Sequence, residues 1–306
     1  MSFGYYSSRE DLPKVEQILL QKIEEDIGEA LHATSYWGYG YRIEFDRLSQ
    51  LFIRGYYDER RLTYLPDEVC EATEIGLLSI GINKVKKIPQ EIGNLQNLYR
   101  LFMGNNLIEV VPKSLTELRN VGIVEIQNNR IRQFPEGIEN MEYLEDLSLG
   151  NNLLQSLPND IGKAPMLRSI RMPYNNVRKL PDSMRNLKEL VRLRYGCNNV
   201  KKLPEWFGEL SNLRELMLHD NHLSELPDSI TDLKYLEVLD LRNNNFEEIP
   251  IYQLAELENL QEVYIYGNPI SDNFKRKFRA MSRLMPKHIR IDGMSLENYF
   301  NKSDQF

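Results

Sequence analysis

Nine prolines stand at one spacing: Pro66, Pro89, Pro112, Pro135, Pro158, Pro181, Pro204, Pro227 and Pro250 each follow the last by 23 residues. They account for nine of the chain's 14 prolines, so the column is a structural period. An asparagine column shares it: Asn83, Asn106, Asn129, Asn152, Asn175, Asn198, Asn221 and Asn244. So does an apolar column through Ile75, Leu98, Val121, Leu144, Leu167, Leu190, Leu213 and Leu236. A fixed period in this range means a repeat architecture. Each repeat is too small to bury its own apolar side, and stacking buries a continuous core.

The cleanest copy runs from Leu213 to Tyr235. Leu216 and Leu218 alternate with Glu215, Met217 and His219, the period of a short strand with one buried face. Asn221 falls where the chain must turn. Its amide carries both donors and acceptors, so it can pair backbone groups that lack a strand partner, in its own coil and the next. Leu226 then precedes Pro227, which has no amide hydrogen for a ladder and so ends any strand. Leu223, Leu226, Ile230 and Leu233 supply the wider apolar spacing of a return path.

Leu213, Leu216, Leu218, Asn221 and Leu223 meet the pattern L-x-x-L-x-L-x-x-N-x-L, and the chain resembles the leucine-rich repeat family in them. Leu226-Pro227-x-x-Ile230-x-x-Leu233 is similar to the 23-residue class of Ras-suppressor and scribble-type intracellular proteins. The resemblance implies an α/β fold, a curved solenoid with a parallel sheet on its concave face and short helical or irregular convex segments. It implies helical caps at both ends. It leaves function open, because the motif describes the core and not the working surface.

The expected divisions are an N-terminal helical capping region over 1–51, the solenoid over 52–270 and a C-terminal cap over 271–306. In the first, Leu12, Val15, Leu19, Ile23, Ile27 and Leu31 are spaced for one helix face ending near Thr34, with Gly28 a weak point. The aromatic–glycine run Tyr36-Trp37-Gly38-Tyr39-Gly40-Tyr41 reads as an end seal or as a docking element. A short apolar segment spans Phe45 to Ile53 before a degraded edge coil with Arg60 in the asparagine column. Eight full repeats follow, the last one residue longer. Phe274, Phe278, Met281 and Met285 read as the buried face of a basic cap helix, and Pro286 and the run HIRIDG at 288–293 resemble the closing cap common in this family.

Length alone suggests about two domains, but one repeat array overrides that prior. No run is long and apolar enough for a transmembrane helix, and the opening residues do not read as a secretory leader. Secreted relatives usually carry cysteine-stapled caps, whereas this chain has only Cys70 and Cys197, far apart. The expected setting is therefore cytoplasmic. A net charge of -7 argues against a nucleic-acid partner. A monomer without cofactors is expected.

The outward strand residues are free of the repeat pattern and are the place to look for recognition. Arg168, Arg171, Arg192 and Arg194 form a basic centre that either awaits a carboxylate or phosphate or is neutralised by Glu215, Glu237 and Asp240. Leu77, Phe102 and Ile123 at one end, and Met217, Tyr264 and Tyr266 at the other, read as exposed apolar anchors or as ordinary scatter. Gly81, Gly104, Gly150 and Gly196 read as easing the turn. The expected protein-binding set is Phe102, Arg171, Arg192, Arg194, Met217, Asp240, Tyr264 and Tyr266.

No catalytic or metal-ligating set is expected. His219, Asp220 and His222 surround a ladder residue, Asn221, and the first two should point to different sides. Cys197 should have a lowered pKa beside Arg194 and no histidine in register. The reading is a non-enzymatic protein–protein interaction module, an adaptor or scaffold gripping a protein partner with its concave face. An inhibitor or immunity-type protein covering an enzyme or toxin is the alternative. An enzyme using the N-terminal segment is the third reading.

Overall fold

The computed structural model describes residues 8–33, 40–55, 61–281, 289–292 and 294–295. They fall into two compact units. One holds the described residues up to Leu154 together with Lys163–Met166; the other holds Gln155–Gly162 and those from Leu167 onward.

The first unit starts with helix α1, Lys14–Ile27. Gly28, at φ 72°, takes the left-handed conformation that closes a helix, and its amide bonds the Glu24 carbonyl. The helix therefore stops well short of Thr34, and Leu31 is buried from beyond its end. Leu19, Leu20, Ile23 and Ile27 are buried, and so is Glu16, whose carboxylate accepts from Arg47 Nε at 2.8 Å and the Leu48 amide at 2.7 Å.

Strands β1 (Gly40–Glu44) and β2 (Arg47–Phe52) make an antiparallel hairpin where the sequence shows only an apolar segment. Its two-residue turn, Phe45-Asp46, has φ of 52° and 57°, an arrangement normally written with asparagine or glycine. Parallel strands follow: β3 (Leu77–Ser79), β4 (Arg100–Phe102), β5 (Ile123–Glu125) and β6 (Asp146–Ser148). β2 pairs with β3, and each then with the next, with equivalent residues of successive repeats in register.

In the second unit β7 (Ser169–Arg171), β8 (Arg192–Arg194), β9 (Glu215–Met217), β10 (Val238–Asp240) and β11 (Glu262–Tyr264) pair in parallel in the same way. Helix α2, Ile251–Ala255, lies in the longer last repeat. Helix α3, Asp272–Met281, leads to the two-residue strands β12 (Arg290–Ile291) and β13 (Met294–Ser295). Phe274 is buried; the side chains of Phe278 and Met281, and residues Met285, Pro286 and His288, lie outside the described part, as do residues 34–39 and Arg60.

The proline column acts where strand geometry ends. Pro66, Pro112, Pro181, Pro204 and Pro227 each immediately precede a five-residue 3-10 turn. Proline supplies a preset φ and forfeits an amide that has no partner there. Its carbonyl accepts the amide three residues on, as Val69 to Pro66 at 3.1 Å and Ile230 to Pro227 at 3.1 Å.

The asparagines form the spine of each unit. Asn106 Nδ2 donates to the Ile80 and Met103 carbonyls at 2.9 and 3.1 Å, and its Oδ1 accepts the Val85 amide at 3.0 Å. Asn83, Asn129 and Asn152 in the first unit and Asn198, Asn221 and Asn244 in the second repeat this pattern. Asn175 donates to Met172 and Pro173 of its own turn. The reach is backward, to the preceding coil. The second unit has one more rung, Asn268, which accepts the Phe246 amide at 3.1 Å. It escapes the sequence column because the last repeat is a residue longer.

The left-handed residue of each turn comes just before the asparagine: Ile82, Asn105, Asn128, Asn151, Tyr174, Cys197, Asp220 and Asn243 have φ between 50° and 61°. The glycines of the sequence column, one residue earlier, do not carry that conformation, so they do not ease the turn. Two of them make room for neighbouring side chains: a Cβ on Gly104 would lie 3.0 Å from Gln127 Nε2, and one on Gly196 2.4 Å from His219 Nε2.

Candidate functional site

Seven of the eight expected binding residues share the second unit, and Phe102 belongs to the first. Register brings Arg171, Arg194, Met217, Asp240 and Tyr264 into one row across five adjacent strands. Arg192 lies in the neighbouring row beside Ser169 and Glu215, and Tyr266 follows β11. Strands this short, fixed by a ladder on one side, give the outward side chains a rigid base.

The arginines differ in their commitments. Arg194 Nε donates to Glu215 Oε1 at 2.6 Å. Arg168 pairs with Glu189 at 3.6 Å, and Arg214 takes Glu237. Of the three acids expected to neutralise the cluster, Glu215 pairs with Arg194. Arg192 is exposed and has no ion pair among the described residues. Asp240 is 1% exposed and does not present itself outward. Its carboxylate accepts from Arg242 Nη2 at 2.6 Å, Arg242 Nε at 2.9 Å and the Arg242 amide at 3.1 Å. Those bonds raise the Arg242 pKa further and seat its guanidinium 5.3 Å from the Tyr264 ring centre.

The aromatic end is graded. Tyr264 is half-buried, its hydroxyl donating to Glu262, a bond that raises its pKa. Tyr266 is 71% exposed, and Met217 is half-buried between Arg194 and Asp240. At the other end Leu77, on the strand next to β2, is fully buried; it is no surface anchor. Phe102 and Ile123 are half-buried. The first unit adds a hollow lined by Tyr99, Arg100, Asn120, Gly122, Ile123, Tyr143 and Glu145. Its sequence signal was Gly122, which interrupts a column that has Tyr99 one repeat before and Glu145 one after.

Sequence reasoning set His219 and Asp220 on different sides and left Cys197 without a histidine, and the structure corrects both readings. Cys197 and Asp220 occupy the same left-handed position in successive coils, and both meet His219. The Cys197 sulfur lies 3.8 Å from His219 Nδ1 and 3.8 Å from Asp220 Oδ2, and Nδ1 lies 2.8 Å from Oδ2. A histidine is therefore beside Cys197, and His219 and Asp220 face the same point. The thiol pKa is raised, not lowered: burial outweighs the hydrogen bond with Tyr174, and the Asp220 charge adds to it. Burial alone would raise the Asp220 carboxyl, but hydrogen bonds with His219 and Asn243 hold it below its ordinary value. The missing signal was the column at Asn105, Asn128, Asn151, Cys197 and Asp220, whose members touch across coils as Asn151 touches Asn128 at 2.8 Å.

No helix among the described residues is long and apolar enough to cross a membrane. A family model for the leucine rich repeat matches residues 211–270. Over 54 residues the chain is 37% identical to the plant intracellular Ras-group-related LRR protein 7 of Oryza sativa subsp. japonica. That match covers 17% of this chain and 21% of the rice protein, about a fifth of its length. A chain of the PEPR1-AtPEP1 crystal structure superposes with a TM-score of 0.70 at 22% identity, over 92% of this chain and 41% of that one. A chain in the octameric complex of Latrophilin 3, Unc5D and FLRT2 gives 0.63 at 19% identity, over 86% and 92%. At such identities the likeness is one of fold. With one period in the sequence, one register in the strands, an asparagine spine in each unit and the matched segment, the chain is a leucine-rich repeat protein.

Proposed function

We propose that the chain is a non-enzymatic protein-binding module, an adaptor or scaffold that works through the outward side of strands β7–β11. The observation that carries this reading is the pairing state of that face. Arg192 is exposed with no ion pair among the described residues, on the same strand as Arg194 and in register with Glu215 on Met217's strand, while Tyr266 stands 71% exposed in the same unit. Arginine, tyrosine and methionine are the residue types enriched where proteins meet. An unpaired guanidinium on a rigid strand favours a partner that offers a carboxylate. Arg194, tied to Glu215, and Asp240, tied to Arg242, shape the surface and contribute less directly.

A partner footprint of standard size is about 800 Å². The two free cysteines suit a reducing, cytoplasmic setting. The test has two steps. A partner captured by the intact chain is identified, and its affinity is then measured for the Arg192→Glu, Tyr266→Ala double variant. An affinity loss of at least about tenfold, with an unchanged circular dichroism spectrum, is expected for a loss of about 1.4 kcal/mol or more. Full affinity in the double variant removes this face as the binding surface. Stoichiometric loss of a captured enzyme's activity on binding makes the module an inhibitor instead of a passive adaptor.

A further inference from the structure

We propose that Cys197, His219 and Asp220 form a binding site for a zinc-class divalent cation. The three side chains offer one sulfur, one nitrogen and one oxygen converging on a single point, with separations of 3.8, 3.8 and 2.8 Å. A tetrahedral ion bonded at about 2.3 Å to sulfur and about 2.0–2.2 Å to nitrogen and oxygen spaces its ligand atoms roughly 3.4–3.6 Å apart. Two edges of the triangle, at 3.8 Å, need to close by only a few tenths of an ångström, and the third opens when the His219–Asp220 hydrogen bond is exchanged for two bonds to the ion. The mixed ligand set selects a borderline-soft ion over magnesium or calcium, which take oxygen.

The surroundings are built to hold this arrangement. Asn243 Nδ2 donates to Asp220 Oδ1 at 2.9 Å, which turns the other oxygen toward His219 and Cys197. Such outer hydrogen bonds orient ligating carboxylates. The His219 ring lies over Gly196, where a Cβ would fall 2.4 Å from Nε2, so glycine alone leaves the ring its place. The Cys197 amide donates to the His219 carbonyl and the Asp220 amide to the Arg242 carbonyl, both at 2.8 Å, fixing the coils that carry the ligands. Cys197 itself has φ 52° in a column otherwise served mostly by asparagine and aspartate, which tolerate that conformation better. A strained residue with two ligand side chains against it is where function concentrates.

The same geometry disfavours a nucleophilic thiol. Sulfur and carboxylate both approach Nδ1, so the ring cannot take the thiol's proton on one nitrogen while the carboxylate orients it through the other. For a cation the shared nitrogen is an advantage. On binding, the Cys197 S–H proton leaves to solvent as the sulfur–metal bond forms. His219 coordinates through Nδ1 as the neutral tautomer with its proton on Nε2. Asp220 is 45% exposed at its side chain, so the fourth position opens to water. Because a proton is released, affinity rises with pH.

The test is a titration of the intact, reduced, metal-free chain with cobalt(II), followed by displacement with zinc. The expected result is saturable binding with a thiolate-to-cobalt charge-transfer band that zinc abolishes. Cys197→Ser loses the band, Cys70→Ser keeps it, and Asp220→Asn weakens zinc at least tenfold while keeping the thiol. Asn243→Gly, which preserves the left-handed backbone, weakens zinc by about 10–100-fold. The absence of saturable binding by the unaltered chain overturns the proposal. So does a band and affinity unchanged in Cys197→Ser, or an affinity unchanged in Asp220→Asn.

Discussion

Asn152 Oδ1 accepts the amide proton of Ile131, 21 residues earlier, at 3.0 Å, closing a turn that belongs to the preceding coil. The same side chain donates to Ile126 at 3.1 Å and Leu149 at 3.0 Å. It is 5% exposed, so none of these groups has ready access to water. Asn152→Ala leaves an amide and two carbonyls short of a partner and is expected to cost about 1–3 kcal/mol. Leu149→Ala, at a fully buried position, is expected to cost about 2–5 kcal/mol. Urea unfolding with a lowered midpoint in both variants is the check; unchanged midpoints contradict the spine.

Tyr195 occupies the apolar column that holds Met172 and Leu218 one coil either side. It is fully buried, and its hydroxyl has no hydrogen-bond partner among the described residues. Burial drives the phenol pKa far up, since nothing there favours the charged form. Tyr195→Phe removes a polar atom that is desolvated without compensation. It is expected to stabilise by about 1–2 kcal/mol, seen as a higher urea midpoint with the same slope. A destabilised Tyr195→Phe means the hydroxyl has a partner.

Glu16 ties α1 to the hairpin through Arg47 and the Leu48 amide. Glu16→Gln keeps the shape, but one oxygen cannot serve both donors. The expected cost is about 1–3 kcal/mol, together with faster hydrogen exchange at the Leu48 amide. Unchanged exchange at Leu48 shows that the carboxylate does not hold the hairpin.

The repeat was legible because its strongest constraints are chemical and periodic: proline without a donor, asparagine with both kinds of group, and leucines that only stacking can bury. Features that depend on a neighbour one coil away were less so. Leu77 looks outward by alternation, yet it is fully buried on the strand next to β2, a neighbour the repeat pattern does not include. The hairpin escaped because Phe45-Asp46 lacks the usual turn residues, and Asn268 because the count slips by one. Asp240 reads as a surface acid, yet it is buried in its pairing with Arg242, two residues on. Cys197 and His219 are 22 residues apart, one short of the period, so a column-by-column reading separates a pair that the turn brings together.

Gly196 and Asp220 provide a pH test of that turn. A Cβ at Gly196 would meet the His219 ring, a movable side-chain end, so Gly196→Ala is expected to displace the ring at little cost to the fold. Asp220 then loses the His219 hydrogen bond that helps hold its pKa down, and the pKa should climb toward the ordinary value of about 3.9. A depressed carboxyl adds stability above the unfolded-state pKa and loses it as pH falls through the folded-state value. The variant should therefore trail the unaltered chain above about pH 4 and converge with it at the acid end, where both carboxyls are protonated. Carbon-detected NMR titration of Asp220 measures the shift directly. An Asp220 pKa identical in the two proteins would show that His219 does not hold the carboxylate in solution.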